Sequence, residues 1–479
     1  MKNGLFILCL FFSALFARDA YGSDKHVVLV KLRDGASVSQ RMVRGDLPVL
    51  TRERFVAEMK SANSSVQRRF IGSLPEGEIK VRKQYWISNT LSCETDDEGL
   101  ARLASHPDVE YVVVDSLQKI IDFTPCAAPA SESVAAHVQM VNAQEANEAG
   151  YSGEGVVVAI IDSGVNYNHA DLQGSLWESD IYPNHGWDFF NNDDDPMDDM
   201  GHGTHCAGVV AGNGASGTRT GIAPDAEIMI LKVVDDQGEG TQEQVFEAIE
   251  FAVENGADVL SMSLGWPNVG DANRKLWRDV MTNLLDCNVL AVVAAGNEGN
   301  KQGQYPVPYN LRTPGDCPPA WLAEGQCETV GGLSSVFTVG SVDEDGITVS
   351  STSARGPVTW KNVETYNDYS YNPGNGLMKP DITAPGASVV SLDYSNVNGY
   401  VAMSGTSMAC PCVAGIVADM LSKNEGLSPS DIVRLVSESA VKLTSQFSNN
   451  SGAGRADALF AVLNTPNEDV NCIMMGEFD

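Results

Sequence analysis

Apolar positions follow two regimes along the chain. Over residues 26–121 short apolar runs alternate with helical periodicities: a strand His26–Leu32, a helix Thr51–Ser64, strands near Val66–Ile71 and Tyr85–Thr90, a helix Asp96–Ser105 and a strand Val109–Val114. That order, βαββαβ, predicts a small α+β unit of the ferredoxin-like, open-faced kind. Thr124–Ser133, rich in Ala, Pro and Ser, then predicts a linker open to proteolysis. From Val156 onward the apolar runs are unbroken: Val156–Ile161, Glu227–Val233, Asp258–Met262, Val289–Ala294 and Val336–Val339, with helical stretches between them. Runs without polar alternation are covered on both faces, which predicts an α/β domain with a doubly wound, mostly parallel sheet. Functional groups belong at the carboxyl ends of such strands.

Ahead of the first unit, Lys2, the apolar stretch Leu5–Phe16 and Ala20-Tyr21-Gly22 have the order of a secretory signal cleaved after Gly22. The stretch is shorter than the roughly 20 apolar residues that span a bilayer, so a soluble product in a secretory or extracytoplasmic compartment is expected. Export permits disulfides, and of ten cysteines Cys9 leaves with the signal, so at least one thiol stays unpaired. Cys317 and Cys327 bracket a Pro- and Gly-rich loop and are expected to pair locally.

Charge narrows the partners. The 479 residues carry 31 Lys and Arg against 63 Asp and Glu, a net of -32, which repels nucleic acid and anionic lipid. Residues 24–125 are neutral, with 15 groups of each sign, so the excess lies in residues 126–479, with a net of -33. That surface is either heavily hydrated or gathers carboxylates that bind cations or steer basic substrates.

Four strand ends or helix starts carry chemistry. Val156–Ile161 runs into Asp162-Ser163-Gly164. Gly201-His202-Gly203-Thr204-His205-Cys206-Ala207-Gly208 opens a small-residue helix, with His202 placed to reach a cleft and His205 to pack inside. Val289–Ala294 runs into Ala295-Gly296-Asn297-Glu298-Gly299, and Ser404-Gly405-Thr406-Ser407-Met408-Ala409 precedes an apolar helix ending near Lys423. In isolation these are a turn aspartate, a helix-start histidine, a loop asparagine and a helix-capping serine. In the order Asp162, His202, Asn297, Ser407 they specify acyl transfer. A serine becomes nucleophilic when an imidazole takes its proton, a carboxylate fixes the imidazole tautomer, and an amide and a helix-start N–H hold the oxyanion.

These residues resemble the subtilisin-like serine proteases. The blocks Ala-Ile-Ile-Asp-Ser-Gly-Val, Gly-His-Gly-Thr-His-Cys-Ala-Gly, Ala-Ala-Gly-Asn-Glu-Gly and Gly-Thr-Ser-Met-Ala carry the likeness, with Pro380–Gly386 as a structural fifth, over residues 135–465. The resemblance implies a secreted serine endopeptidase acting on proteins or peptides as a monomer, without organic cofactor. Residues 1–22 are then a signal peptide, 23–122 an inhibitory and chaperoning propeptide, 123–134 a linker with the maturation site, and 466–479 a tail. It also implies that Ser263, Leu264 and Gly265 pair with an extended substrate, and that Ala294, Ala295 and Gly296 line the pocket for the residue before the cleaved bond. Glu298 at that rim favours basic or polar residues. The long insertion Tyr305–Gly332 leaves the floor of the pocket unplaced by sequence. A structural calcium ion is implied at Asp188, Asp193 and Asp195 of an acidic loop, with Asp171 matching a second site whose loop departs at Ala215; the other reading of the loop is a solvated acidic surface. Cys410 and Cys412 replace the Thr and His usual after the nucleophile, either to form disulfides with distant cysteines or as small buried thiols, the second being preferred. A subtilase-fold peptide ligase or transpeptidase and a non-catalytic peptide-binding protein are the alternatives, and retention of all four residues disfavours the second.

Overall fold

The computed structural model describes residues 25–33, 51–75, 77–126, 133–267, 270–318, 335–360, 377–445 and 447–467. The expected signal segment, Cys327 and residues 468–479 of the expected tail lie outside them.

The N-terminal unit consists of β1 (His26–Leu32), α1 (Arg52–Ile71), β2 (Lys80–Tyr85), β3 (Thr90–Thr95), α2 (Asp97–Ser105) and β4 (Val109–Asp115). Its antiparallel sheet has the order β2-β3-β1-β4. The element order agrees with the sequence, but two boundaries do not. The strand expected at Val66–Ile71 is the last part of α1, and the strand expected at Tyr85–Thr90 is mainly the turn, residues 86–89, between the end of β2 and the start of β3. The buried face of α1 is Phe55, Met59, Asn63, Gln67 and Phe70, a helical spacing in which two members are amides. Asn63 Nδ2 donates to the Trp86 carbonyl at 2.6 Å and Gln67 Nε2 to that of Tyr85 at 2.9 Å, so polar side chains hold positions where apolar ones are the usual signal. A glycan on Asn63, which lies in an acceptor sequon, does not fit this burial.

The main domain is built on a seven-stranded sheet, every neighbouring pair parallel, in the order β14-β13-β12-β11-β7-β9-β8. These strands are β7 (Val157–Asp162), β8 (Gly186–Asp188), β9 (Glu227–Lys232), β11 (Val259–Met262), β12 (Leu290–Ala294), β13 (Val336–Val342) and β14 (Ile382–Pro385). Alternate residues of one strand serve different cores: Val158 and Ile160 of β7 enter one cluster, Ala159 and Ile161 the other. This two-sided burial is why the strands read as unbroken apolar runs. On the first face lie α3 (Ala136–Met140), α4 (Ala143–Glu148), α5 (His202–Ala211) and α8 (Thr406–Lys423), the last packed across β11 to β14. On the second lie α6 (Gln242–Glu254) and α7 (Asp271–Asp286), whose residues Phe246, Leu276 and Trp277 share a core with Phe55 and Tyr85 of the N-terminal unit.

The two parts meet through charge as well as packing. Asp115, at the end of β4, accepts the N–H groups of Gln242 and Glu243 at 3.0 and 2.8 Å. It supplies acceptors that the first turn of α6 lacks internally. Burial pushes this carboxyl up to about 7, against the pull of those two N–H groups. Around it Arg82 meets Glu243 at 3.1 Å, Lys83 meets Glu247 at 2.8 Å, Lys60 meets Glu254 at 2.7 Å and Lys31 meets Asp279 at 2.8 Å. The neutral N-terminal unit therefore turns basic groups toward the acidic helices of the main domain.

Among the described residues the cysteines 93, 126, 206, 287, 317, 410 and 412 are free thiols. Cys410 and Cys412 are buried, as expected of small core residues, and Cys317 is a buried thiol with no disulfide. No helix among the described residues is long and apolar enough to cross a membrane.

Candidate active site

Strand β7 ends at the fully buried Asp162, beside β11, where the strand order turns from one direction to the other. Asp162 Oδ1 lies 2.7 Å from His202 Nδ1 and also accepts the Ser163 N–H at 2.8 Å. His202 is the first residue of α5, and the glycine after it is required by close approach: a Cβ on Gly203 would stand 2.1 Å from the Gly164 carbonyl oxygen. The pair is held by a second carboxylate that sequence reasoning missed. Asp198 accepts the Ser163 hydroxyl at 2.9 Å, the Gly201 N–H at 2.8 Å, and both the N–H and hydroxyl of Thr204 at 2.9 and 2.6 Å. Ser163 Oγ in turn accepts the Gly203 N–H at 2.9 Å. Burial holds the Asp198 carboxyl above its usual range despite these donors. Its place shortly before the Gly-His-Gly block, in front of a helix start, is the signal that could have found it.

His202 Nε2 is buried and has no hydrogen-bond partner among the described residues. Its ring faces Phe123, with centroids 5.1 Å apart. Cys206, one turn along α5, lies 3.8 Å from His202 Nδ1, and burial pushes its thiol well above the usual range. His205 points the other way, to the Val389 carbonyl at 3.0 Å, and burial lowers it to about 3.

Ser407 is the second residue of α8. Its hydroxyl donates to the Ser263 carbonyl at 3.2 Å, and the Ser263 hydroxyl donates back to the Ser407 carbonyl at 2.8 Å. These bonds fasten the start of α8 to the end of β11. Asn297 follows β12, and its amide is oriented by its neighbours. Oδ1 accepts the Thr406 N–H at 3.0 Å, which leaves Nδ2 to donate to the Asp122 carbonyl at 2.7 Å. A peptide carbonyl of the chain itself is thus held by Asn297, next to the residue that precedes Ser407.

The segment around Asp122 runs through the cleft as an added strand. β5 (Gln118–Lys119) pairs antiparallel with β10 (Glu239–Gly240), the Ile120 and Ile121 N–H groups donate to the Gly238 carbonyl at 3.0 and 3.3 Å, and the Gly265 N–H donates to the Ile120 carbonyl at 3.0 Å. Beyond Asp122, β6 (Thr124–Cys126) pairs antiparallel with β16 (Tyr400–Ser404). The expected linker therefore begins as a strand on the cleft wall. Ser263 and Leu264 are buried next to Gly265 at this edge.

Ala294, Ala295 and Gly296 lie on the other side, but the space beside them is filled by Arg312, from the insertion that the sequence could not place. Its N–H donates to the Ala295 carbonyl at 3.0 Å, and a Cβ on Gly296 would meet Arg312 Cγ at 2.8 Å. Glu298 is 2% exposed and its carboxylate lies 2.6 Å from Arg312 Nη2. A preference for basic residues does not follow from a carboxylate already neutralised in this way.

Asp188, Asp193 and Asp195, expected at one calcium site, form no group of three close ligand atoms among the described residues, and Asp171 is matched to a second site. Asp171 is buried and accepts the Ser216 N–H and the Tyr400 hydroxyl, both at 2.7 Å. Asp188 is buried, accepts the N–H and the side-chain amide of Asn191, and lies 3.7 Å from the buried ammonium of Lys232. Asp193 and Asp195 are exposed, accepting the Asp195 N–H at 3.1 Å and the Tyr167 hydroxyl at 2.8 Å. Among the described residues the one group of three close ligand atoms is Asp162, His202 and Cys206.

The chain is 34% identical to the serine protease AprX of Bacillus subtilis over 335 residues, 64% of this chain and 66% of that protein. It is 28% identical to subtilisin E of Bacillus subtilis over 406 residues, 84% and 89% of the two chains, and 31% identical to thermitase of Thermoactinomyces vulgaris over 294 residues, 61% and 83%. The model of the subtilase family matches residues 153–455, which contain Asp162, His202, Asn297 and Ser407 on the strand ends and helix starts just described, and the chain belongs to that family.

Proposed function

We propose that the protein is a serine endopeptidase made as an autoinhibited precursor, with Ser407 as nucleophile, His202 as general base and acid, Asp162 as its orienting carboxylate and Asn297 as oxyanion donor. The observation that carries this reading is the hydrogen bond from Asn297 to the Asp122 carbonyl, in a segment held as an extended strand on both sides of the cleft. Ser407 Oγ adds to a carbonyl carbon placed there, and its proton passes to His202 Nε2, which has no competing partner among the described residues. The oxyanion gains charge where Asn297 donates. Collapse breaks the C–N bond as His202 returns the proton to the leaving amine, and water then hydrolyses the acyl-enzyme by the same steps in reverse order. In this structure the Ser407 hydroxyl is turned to the Ser263 carbonyl, and the first step requires its rotation toward the imidazole.

The N-terminal unit acts as propeptide in this reading, blocking the cleft with its own last strand until the connection is cut. The leading Lys2, Leu5–Phe16 and Ala20-Tyr21-Gly22 support export before maturation. A structural calcium ion, where one binds, draws on Asp193 and Asp195, the two exposed carboxylates of the acidic loop. Chelation with EDTA is then expected to lower the Tm, and an unchanged Tm removes the ion from the reading.

The Ser407→Ala chain is expected to remain at precursor length and to hydrolyse no casein, while the parent chain separates into two fragments. Peptidase activity retained by the variant would refute the assignment.

A further inference from the structure

The residue whose carbonyl Asn297 holds is an aspartate, and its side chain faces two cations. Asp122 Oδ2 lies 3.8 Å from Arg312 Nη2 and 3.8 Å from Lys301 Nζ. Arg312 is built into this position. A Cβ on Gly265 would meet Arg312 Cβ at 2.9 Å and one on Gly296 would meet its Cγ at 2.8 Å, so its stem runs between the two edges of the pocket. The guanidinium is tied to Glu298 at 2.6 Å and donates to the Ile120 carbonyl at 3.1 Å. Without a substrate carboxylate, Arg312 keeps its pair with Glu298 and Lys301 has no other carboxylate partner among the described residues, which leaves one positive charge uncompensated. An acidic residue balances it, a basic residue adds a third cation, and an apolar residue covers the excess charge without compensating it.

We propose that the enzyme selects an acidic residue immediately before the cleaved bond, that Arg312 and Lys301 select it, and that Asp122–Phe123 is the first bond it cuts. This rests on the endopeptidase reading of the same site. It also gives a use to the insertion: it brings Arg312 against the edge formed by Ala295 and Gly296.

Internally quenched peptides spanning residues 118–126, with Ser in place of Cys126, test the proposal on the mature enzyme. They carry Asp, Glu, Asn, Leu, Phe or Lys at the position of Asp122. The Asp and Glu peptides are expected to exceed the Leu, Phe and Lys peptides by about 10-fold in kcat/KM, the factor that corresponds to about 1.4 kcal/mol of charge pairing. N-terminal sequencing of the processed chain is expected to begin at Phe123. Lys301 is exposed, and Lys301→Glu is expected to lower the Asp-to-Leu ratio about tenfold, a readout that does not depend on how much enzyme folds. Casein hydrolysis with equal or better turnover of the Leu and Phe peptides overturns the proposal, as does an unchanged ratio in Lys301→Glu for the role of that lysine. Failure to cleave casein or any peptide overturns instead the endopeptidase reading on which the proposal stands.

Discussion

Asn297 shows how much one side chain can owe to its neighbour. An amide can present either its oxygen or its nitrogen to a substrate, and the Thr406 N–H settles which by bonding Oδ1. Asn297→Ala removes a donor aimed at developing charge and leaves the strand contacts at Gly238, Gly240 and Gly265 in place. Its kcat is expected to fall about 10²- to 10³-fold with little change in KM, measured on the purified mature enzyme. At this scale the sequence was informative where chemistry demands one residue type at one strand end, as for Asp162, His202, Asn297 and Ser407. It was silent on Arg312, Lys301 and Asp122, because an ion pair between an insertion, a rim loop and a distant segment has no spacing to read. Glu298 was the available hint. A carboxylate this deeply buried needs a cation, so the useful question was which base neutralises it rather than which substrate it attracts.

At the scale of elements, the Gly-His-Gly helix start is an anchored structure, and Asp198 is its anchor. It takes the Met200, Gly201 and Thr204 N–H groups that α5 cannot satisfy internally, and through Ser163 it reaches the turn that carries Asp162. Asp198→Ala strands several buried donors, at about 1–3 kcal/mol for each group left unsatisfied. The variant is expected to lower both the Tm and kcat, with KM changed far less, and Asp198→Asn to recover part of each because one carbonyl acceptor returns. Loss of Tm with kcat unaltered would show that Asp198 supports the helix without positioning the histidine. The parallel strands were legible because two-sided burial writes itself as an apolar run. In α1 and β2 the opposite holds. The buried face of α1 passes through Asn63 and Gln67, and β2 is charged because it faces Glu243 and Glu247, so the hydrophobic period fades in the second half of α1 and is absent from β2.

Across the whole molecule, the net charge of -33 on residues 126–479 has a local purpose at α6 and α7, where it meets the basic groups of the N-terminal unit. Two carboxyls at this junction are costly to bury. Asp115 is pushed from 3.8 to about 7, and Glu250, which accepts the Ile87 N–H at 2.8 Å beside Glu254, is held well above its usual range, burial being the main cause for both. A carboxyl whose pKa is higher in the docked state binds its proton more tightly there, so docking is favoured at low pH and weakens as pH rises. For Asp115 the window runs from 3.8 to about 7. After the connection is cut, the fraction of N-terminal fragment that co-elutes with the main domain on gel filtration is therefore expected to be higher at pH 5 than at pH 8. The corresponding docking constant should fall at least about tenfold, as one unit of differential pKa implies. Elution is the right readout because it does not depend on the activity of the site. Asp115→Asn, which keeps an acceptor for α6 and removes the titrating group, is expected to flatten this dependence, and added salt to weaken docking at both pH values through the exposed parts of the ion pairs. Docking that strengthens between pH 5 and pH 8 would mean that ion pairing of the acidic helices outweighs the burial of Asp115 and Glu250.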